Sequence, residues 1–185
     1  MITEGDRTSL LRFTRETIIA CVLAQPEPIP EPCAALAVHA GVFVSLHSER
    51  DLRGCIGHLE PNEPLSALIP RCAIAAATTD PRFPAVSPEE LPNLWIELSI
   101  LGPLEPVRGF DDFEIGRHGL VVELGQRRGV LLPQVATEWK WNREAFLAQT
   151  CRKAGLPADG WKHGASVWRF EAEVFGEKAS PVRSR

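Results

Sequence analysis

Hairpin follows hairpin along this chain, with helices set between them, and that order predicts an α+β fold: a largely antiparallel sheet flanked by helices. Three observations carry the prediction. Residues 40–47 and 52–59 read as paired strands around a polar turn, and 120–124 and 129–132 do so around Gly125-Gln126-Arg127-Arg128. Residues 6–24, 65–79 and 142–154 repeat apolar side chains at helical spacing. The 185 residues, 44% of them hydrophobic, supply the core of one domain, with at most a small appendage.

The elements follow in order. Leu10, Leu11, Thr14, Thr17, Ile18, Cys21 and Val22 form one stripe of the first helix, and Asp6 is placed to cap it. Pro26, Pro28, Pro30 and Pro32 then end the helix and stiffen an extended connector, a composition shared with ligands of proline-recognition domains. The first hairpin ends at Glu60-Pro61-Asn62-Glu63-Pro64. The second helix turns Leu65, Leu68, Ile69, Cys72 and Ile74 inward, so Cys72, like Cys21, reads as core. Asp80-Pro81 and Phe83-Pro84 hold a stiff loop, because a residue before proline avoids helical angles. Glu89 to Pro92 is a helical turn, and 94–104 is a strand with Leu94, Ile96, Leu98 and Ile100 on one face. Trp95 on the other face predicts partial cover there. Residues 110–113 read as an exposed turn. After the second hairpin, Pro133 opens a short helix to Glu138, Asn142 caps a longer one, and Gly155 stops it. Residues 167–175 alternate as a last strand, and 176–185 read as a frayed tail.

Composition narrows the functional classes. The net charge is −4 with scattered basic residues, so nucleic acid is not an expected partner. No run of 18 apolar residues exists, so no membrane span is expected, and the acidic N-terminus does not read as a signal peptide. Five cysteines without a Cys-x-x-Cys pair fit a reducing, cytoplasmic setting. Phosphate-binding glycine loops, Ser-His-Asp order and His-Glu-x-x-His are absent from the sequence.

One stretch concentrates the chemistry: Asp51-Leu52-Arg53-Gly54-Cys55-Ile56-Gly57-His58. Gly54 and Gly57 are free to take positive φ or to admit a bulge and a close-lying ligand. A cation such as Arg53 favours a Cys55 thiolate, the reactive form of the residue. The plainer alternative is a hairpin whose cysteine packs as a small apolar side chain. Histidine activates thiols at neutral pH, which makes His118, beside Gly119, the candidate acid or base. Arg82 is either an anion clamp or a pin holding its loop to Asp80 or to backbone carbonyls. Cys55 with His58 gives a Cys-x-x-His spacing, too few ligands for a zinc assignment, so no metal and no cofactor is expected.

Leu52-Arg53-Gly54-Cys55-Ile56-Gly57 resembles the signature hexapeptide of the AMME chromosomal region (AMMECR) family. Asp80-Pro81-Arg82-Phe83-Pro84, Glu90-Leu91-Pro92, Gly116-Arg117-His118-Gly119-Leu120, Leu131-Leu132-Pro133-Gln134-Val135-Ala136, Ala154-Gly155-Leu156-Pro157 and Trp161 follow in family order. The resemblance spans roughly residues 8 to 175. It implies the same fold with a smaller lobe beside a larger one, the two within a single 1–185 domain. It also places Cys55 and His118 at family positions, where a shared cleft would make them a catalytic pair. Arg53, Gly54, Gly57 and Arg82 would then contact a small-molecule substrate. Cys151 matches bacterial-type relatives, as a lineage-specific ligand or a core residue. The implied setting is an AmmeMemoRadiSam-type system, with a Memo-like protein and a radical-SAM protein as partners. Two functions follow as alternatives: a small-molecule-modifying enzyme or accessory subunit using a Cys55–His118 cleft, or a non-catalytic binding module. In the second, residues 131–136 or 139–141 supply a docking patch.

Overall fold

A computed structural model describes residues 2–49 and 51–177. The chain divides into two compact units, Met1–Ile100 with Glu173–Arg185, and Leu101–Ala172.

In the first unit, helix α1 (Glu4–Val22) and helix α2 (Leu65–Thr78) cover one face of strands β1 (Val42–Ser48), β2 (Asp51–His58) and β3 (Leu94–Leu101). Thr3, not Asp6, is the N-cap of α1. Asp6 sits three residues on and returns its carboxylate to the Thr3 amide at 3.1 Å, so the pair forms a capping box. Cys21 is only half-buried, while Leu10, Phe13, Ile18 and Ala20 carry that face of the helix. In α2 the inward row is Leu65, Leu68, Ile69, Cys72, Ala73, Ala76 and Ala77, and Ile74 is turned partly outward. Val42, Val44 and Leu46 of β1 face these helices together with Ile96, Leu98 and Ile100 of β3. Strand alternation therefore sends Phe43, Ser45 and His47 to the other face. There Trp95 stacks on His47, ring centroids 3.9 Å apart, which accounts for its partial cover. The β1–β2 register shifts between Leu46 and His47, and Arg53 is the extra residue of the resulting bulge.

In the second unit, β5 (His118–Leu124) pairs with β6 (Arg127–Leu131) and with the first part of β7 (Ser166–Gly176), all antiparallel. A two-residue strand β4 (Glu105–Pro106) pairs with Arg169 and Trp168 of β7. Hydrogen-bonded neighbours run in the order β2-β1-β3-β7-β5-β6, with β4 off that path. Helices α3 (Pro133–Glu138) and α4 (Arg143–Lys153) close the core of this unit around Phe113, Leu120, Ala136, Phe146 and Leu147. Phe113 is therefore a fully buried core residue; Phe110 and Asp111 of that expected exposed turn are exposed, and Asp112 is half-buried. Asn142 caps α4 by accepting the Ala145 amide at 2.8 Å, and Gly155 stops it with φ +71°. Gly176 closes β7, and the Glu177 carboxylate accepts from Arg15 at 3.0 Å; the rest of the expected tail, 178–185, lies outside the described residues. Among the described residues no helix is long and apolar enough to cross a membrane.

Candidate functional site

Three separate sequence blocks of the first unit meet at Cys55. Strand β2 is the last in the strand order, so Cys55 turns its amide and carbonyl away from β1. Unpaired edge groups of this kind invite another strand. Here the Asp80-to-Pro84 loop takes that place with side chains. The Asp80 carboxylate accepts the Cys55 N–H at 2.8 Å, and Arg82 Nη2 donates to the Cys55 carbonyl at 3.2 Å. Arg82 also forks onto Asp80, with Nε to Oδ1 at 2.9 Å and Nη2 to Oδ2 at 2.6 Å. Asp80 is 3% exposed, and the Arg82 fork with the Cys55 amide holds its carboxyl well below the usual carboxylate range. Arg82 thus makes the contacts expected of a loop pin, to Asp80 and to a backbone carbonyl.

Arg53 is committed in the same way. Its Nε and Nη2 meet the two Glu90 oxygens at 2.7 and 3.1 Å, and Nη2 reaches the Ala85 carbonyl at 3.3 Å. Glu90 also accepts the Ser87 amide at 2.8 Å, capping its own turn, and Arg53 holds it below the usual carboxylate range. Phe83 is within reach of both guanidiniums, its ring centroid 6.0 Å from Arg53 Cζ and 5.3 Å from Arg82 Cζ. The two cations nearest Cys55 are therefore each matched by a carboxylate. On the sulfur itself, Ser45 Oγ donates from the neighbouring strand at 3.3 Å.

Gly54 and Gly57 serve packing and not backbone freedom, since neither has positive φ. A Cβ on Gly54 would lie 2.3 Å from the Ala76 carbonyl oxygen of α2. A Cβ on Gly57 would lie 2.2 Å from the Phe43 ring. The first glycine seats β2 against a helix backbone; the second is roofed by its cross-strand phenyl.

His118 belongs to the second unit, at the start of β5. Its Nδ1 accepts the Glu114 amide at 2.9 Å, while its own amide donates to the Glu114 carbonyl at 3.0 Å. Gly116 lies inside this closed turn at φ +84°, a left-handed conformation that glycine adopts without strain. Burial lowers the His118 pKa, and Arg169 and Arg117 add to the effect against Glu171 and Glu114. A neutral ring whose Nδ1 accepts a hydrogen bond carries its proton on Nε2. That N–H faces a hollow of about 480 Å³ lined by Gly102, Pro103, Glu105, Arg169 and Glu171, with Glu171 Oε1 3.9 Å away. Arg117 pairs with Glu171 at 2.8 Å and Arg169 with Glu105 at 2.7 Å. His118 thus offers Nε2–H as a donor, while its Nδ1 accepts the Glu114 amide.

The remaining candidates are set apart by their surroundings. Burial pushes the Cys72 thiol up to about 11, and Cys151, fully buried among Val122, Ala154 and Leu156, is raised for the same reason. Cys55 and His58 oppose Ser45 and Val42 and so point to opposite faces of β2, and the His58 ring turns to Asn62 at 3.2 Å. Trp139 is 68% exposed and stacks on Trp141, centroids 6.0 Å apart. Sequence reasoning passed over Ser45, Glu90 and Glu171. Ser45 is the polar side chain in a strand of apolar neighbours, and Glu90 follows Ser87 at capping-box spacing; those were the available signals.

The sequence profile of the AMMECR1 family matches residues 11–175. A protein of Methanothermobacter thermautotrophicus is 47% identical over 162 residues, covering 84% of this chain and 83% of its own. Protein MK0488 of Methanopyrus kandleri is 43% identical over an alignment spanning all of this chain and 94% of its own. The crystal structure of the uncharacterized protein PH0010 from Pyrococcus horikoshii superposes with a TM-score of 0.87 at 41% identity, covering 92% of this chain and 90% of that one. Blocks that look unrelated in sequence, the cysteine hexapeptide, the Asp80 loop and the Glu90 turn, are wired into one corner here, and the profile spans all three: the chain belongs to the AMMECR1 family.

Proposed function

We propose that this chain is a binding module for a small polar molecule, and that Cys55 and His118 do not operate as a thiolate–imidazole pair. The observation that carries the reading is the Glu114 amide on His118 Nδ1, which leaves Nε2–H as a donor toward the hollow. A ligand with an acceptor atom for that N–H fits there, between Arg117 and Arg169, each already paired with a glutamate. The role of an accessory subunit beside a Memo-like protein and a radical-SAM protein belongs to the same proposal, as does a cytoplasmic setting, where thiols persist.

A cysteine-dependent enzyme is the second reading. What favours it is that Cys55 is held by its amide and its carbonyl at once, with a hydroxyl on the sulfur. Preorganisation of this kind suits a reacting group. Arg82 and Arg53 would then act on substrate only through their frame, with Gly54 and Gly57 setting its depth.

Alkylation by iodoacetamide across pH, read at Cys55 by peptide mass spectrometry, separates the two. The binding reading predicts the same Cys55 pH midpoint in wild type and His118→Gln. A midpoint that rises on removing the imidazole contradicts it and restores the catalytic pair.

A further inference from the structure

The second unit contains another cavity, independent of the His118 hollow and of the Cys55 corner. It has a volume of about 440 Å³, and its wall includes Phe110, Phe113, Trp161 and Trp168. Three of the rings form a connected set: Phe110 meets Phe113 edge-on at 6.5 Å and tilts over Trp161 at 6.0 Å. Phe110 is 45% exposed, although the other rings on this wall, Phe113, Trp161 and Trp168, are buried or half-buried. An exposed phenyl at the mouth of an aromatic hollow of this size is a surface that a flat ring would cover.

The polar groups at the same wall are few. Arg108 lines the cavity, and among the described residues no carboxylate pairs with its side chain. The acids closest in sequence are turned elsewhere. Asp112 takes the Arg108 and Gly109 backbone amides at 2.6 and 2.9 Å, and Asp111 pairs with Arg143 at 3.2 Å. On the far side Lys162 lies 4.7 Å from the Trp161 ring centroid and pairs with Glu144. The arginine is thus an uncommitted cation beside this cluster of rings, and a guanidinium pairs with carboxylate or sulfonate oxygens in two-pronged fashion.

We propose that this cavity is a binding site for a planar aromatic acid, the rings lying against Phe110 and Trp161 and the acid group meeting Arg108. It does not depend on the reading of His118. The test uses the full chain with 2-naphthoate and its neutral counterpart 2-naphthamide, followed by tryptophan fluorescence and calorimetry. The expected result is one saturable naphthoate site per chain. Arg108→Gln weakens naphthoate about tenfold and leaves naphthamide unchanged, while Phe110→Ala weakens both. Both positions are exposed, so the thermal transition is expected to stay within a few degrees of wild type, which checks the fold. Absence of saturable naphthoate binding overturns the proposal, as does an affinity indifferent to Arg108→Gln. Loss of binding in Trp139→Ser with Phe110→Ala silent overturns it too, by moving the site to the exposed Trp139–Trp141 pair.

Discussion

The Cys55 corner of the first unit and the His118 hairpin of the second are built alike and differ in what they restrain. Each sets a chemically capable side chain near a strand glycine roofed by a cross-strand phenyl, Phe43 over Gly57 and Phe170 over Gly119. At Cys55 the restraints fall on the backbone, amide to Asp80 and carbonyl to Arg82, and the sulfur meets a neutral hydroxyl. At His118 the restraint falls on the ring, through the nitrogen that would otherwise accept a proton. The lesson is that family position does not assign a role. The frame restrains the backbone of the cysteine and occupies one ring nitrogen of the histidine, and only the second touches the chemical group itself.

The comparison is broken most severely at Gly54. Its Cβ would meet the α2 backbone and no movable side chain, so Gly54→Ala is expected to cost about 3 kcal/mol or more in urea unfolding. Near-wild-type stability there would show that β2 is not seated on Ala76. Asp80→Ala comes next, at about 2 kcal/mol, since the half-exposed Arg82 regains water when its partner is lost. The sign of its pH dependence follows from a folded pKa held low. The contribution is complete above the unfolded carboxyl value of about 3.9 and is lost as pH falls through the folded value. Wild type should therefore shed stability in acid more steeply than Asp80→Ala, and parallel acid profiles would contradict the assignment. Gly57→Ala displaces only the Phe43 ring and should cost about 1–2 kcal/mol, less than Gly54→Ala. The smallest effect is at His118. Its lowered pKa means that its contribution stands above about 6.5 and is lost as pH falls through the folded value, so His118→Gln should flatten that part of the stability profile. A profile unchanged by the substitution would mean that the ring titrates as it does in the unfolded chain.

Much of the fold was legible because its signals are local. Pro133 at the first helical position and Asn142 with its capping side chain mark α3 and α4 where they are found, and the two hairpins carry their own turn residues. What escaped depends on partners distant in sequence. Phe113 follows two aspartates and reads as surface until Phe146 and Leu120 are packed on it. Strand β4 is two residues long, too short for any periodicity. At the site, Cys55, Arg53, Arg82 and His118 were visible as residue types, but their contacts with Asp80, Glu90 and a backbone amide were not. Gly54 and Gly57 suggested freedom, and they turned out to be tight contacts, because the groups that crowd them come from α2 and β1.

The central claim is the state of one imidazole, and nitrogen NMR of the His118 ring measures it directly. In uniformly 15N-labelled protein at pH 7, two-bond proton–nitrogen correlations should show a neutral ring with its proton on Nε2 and an unprotonated, hydrogen-bonded Nδ1. A ring protonated on Nδ1, or an imidazolium at that pH, would contradict the account and return His118 to service as an acid or base.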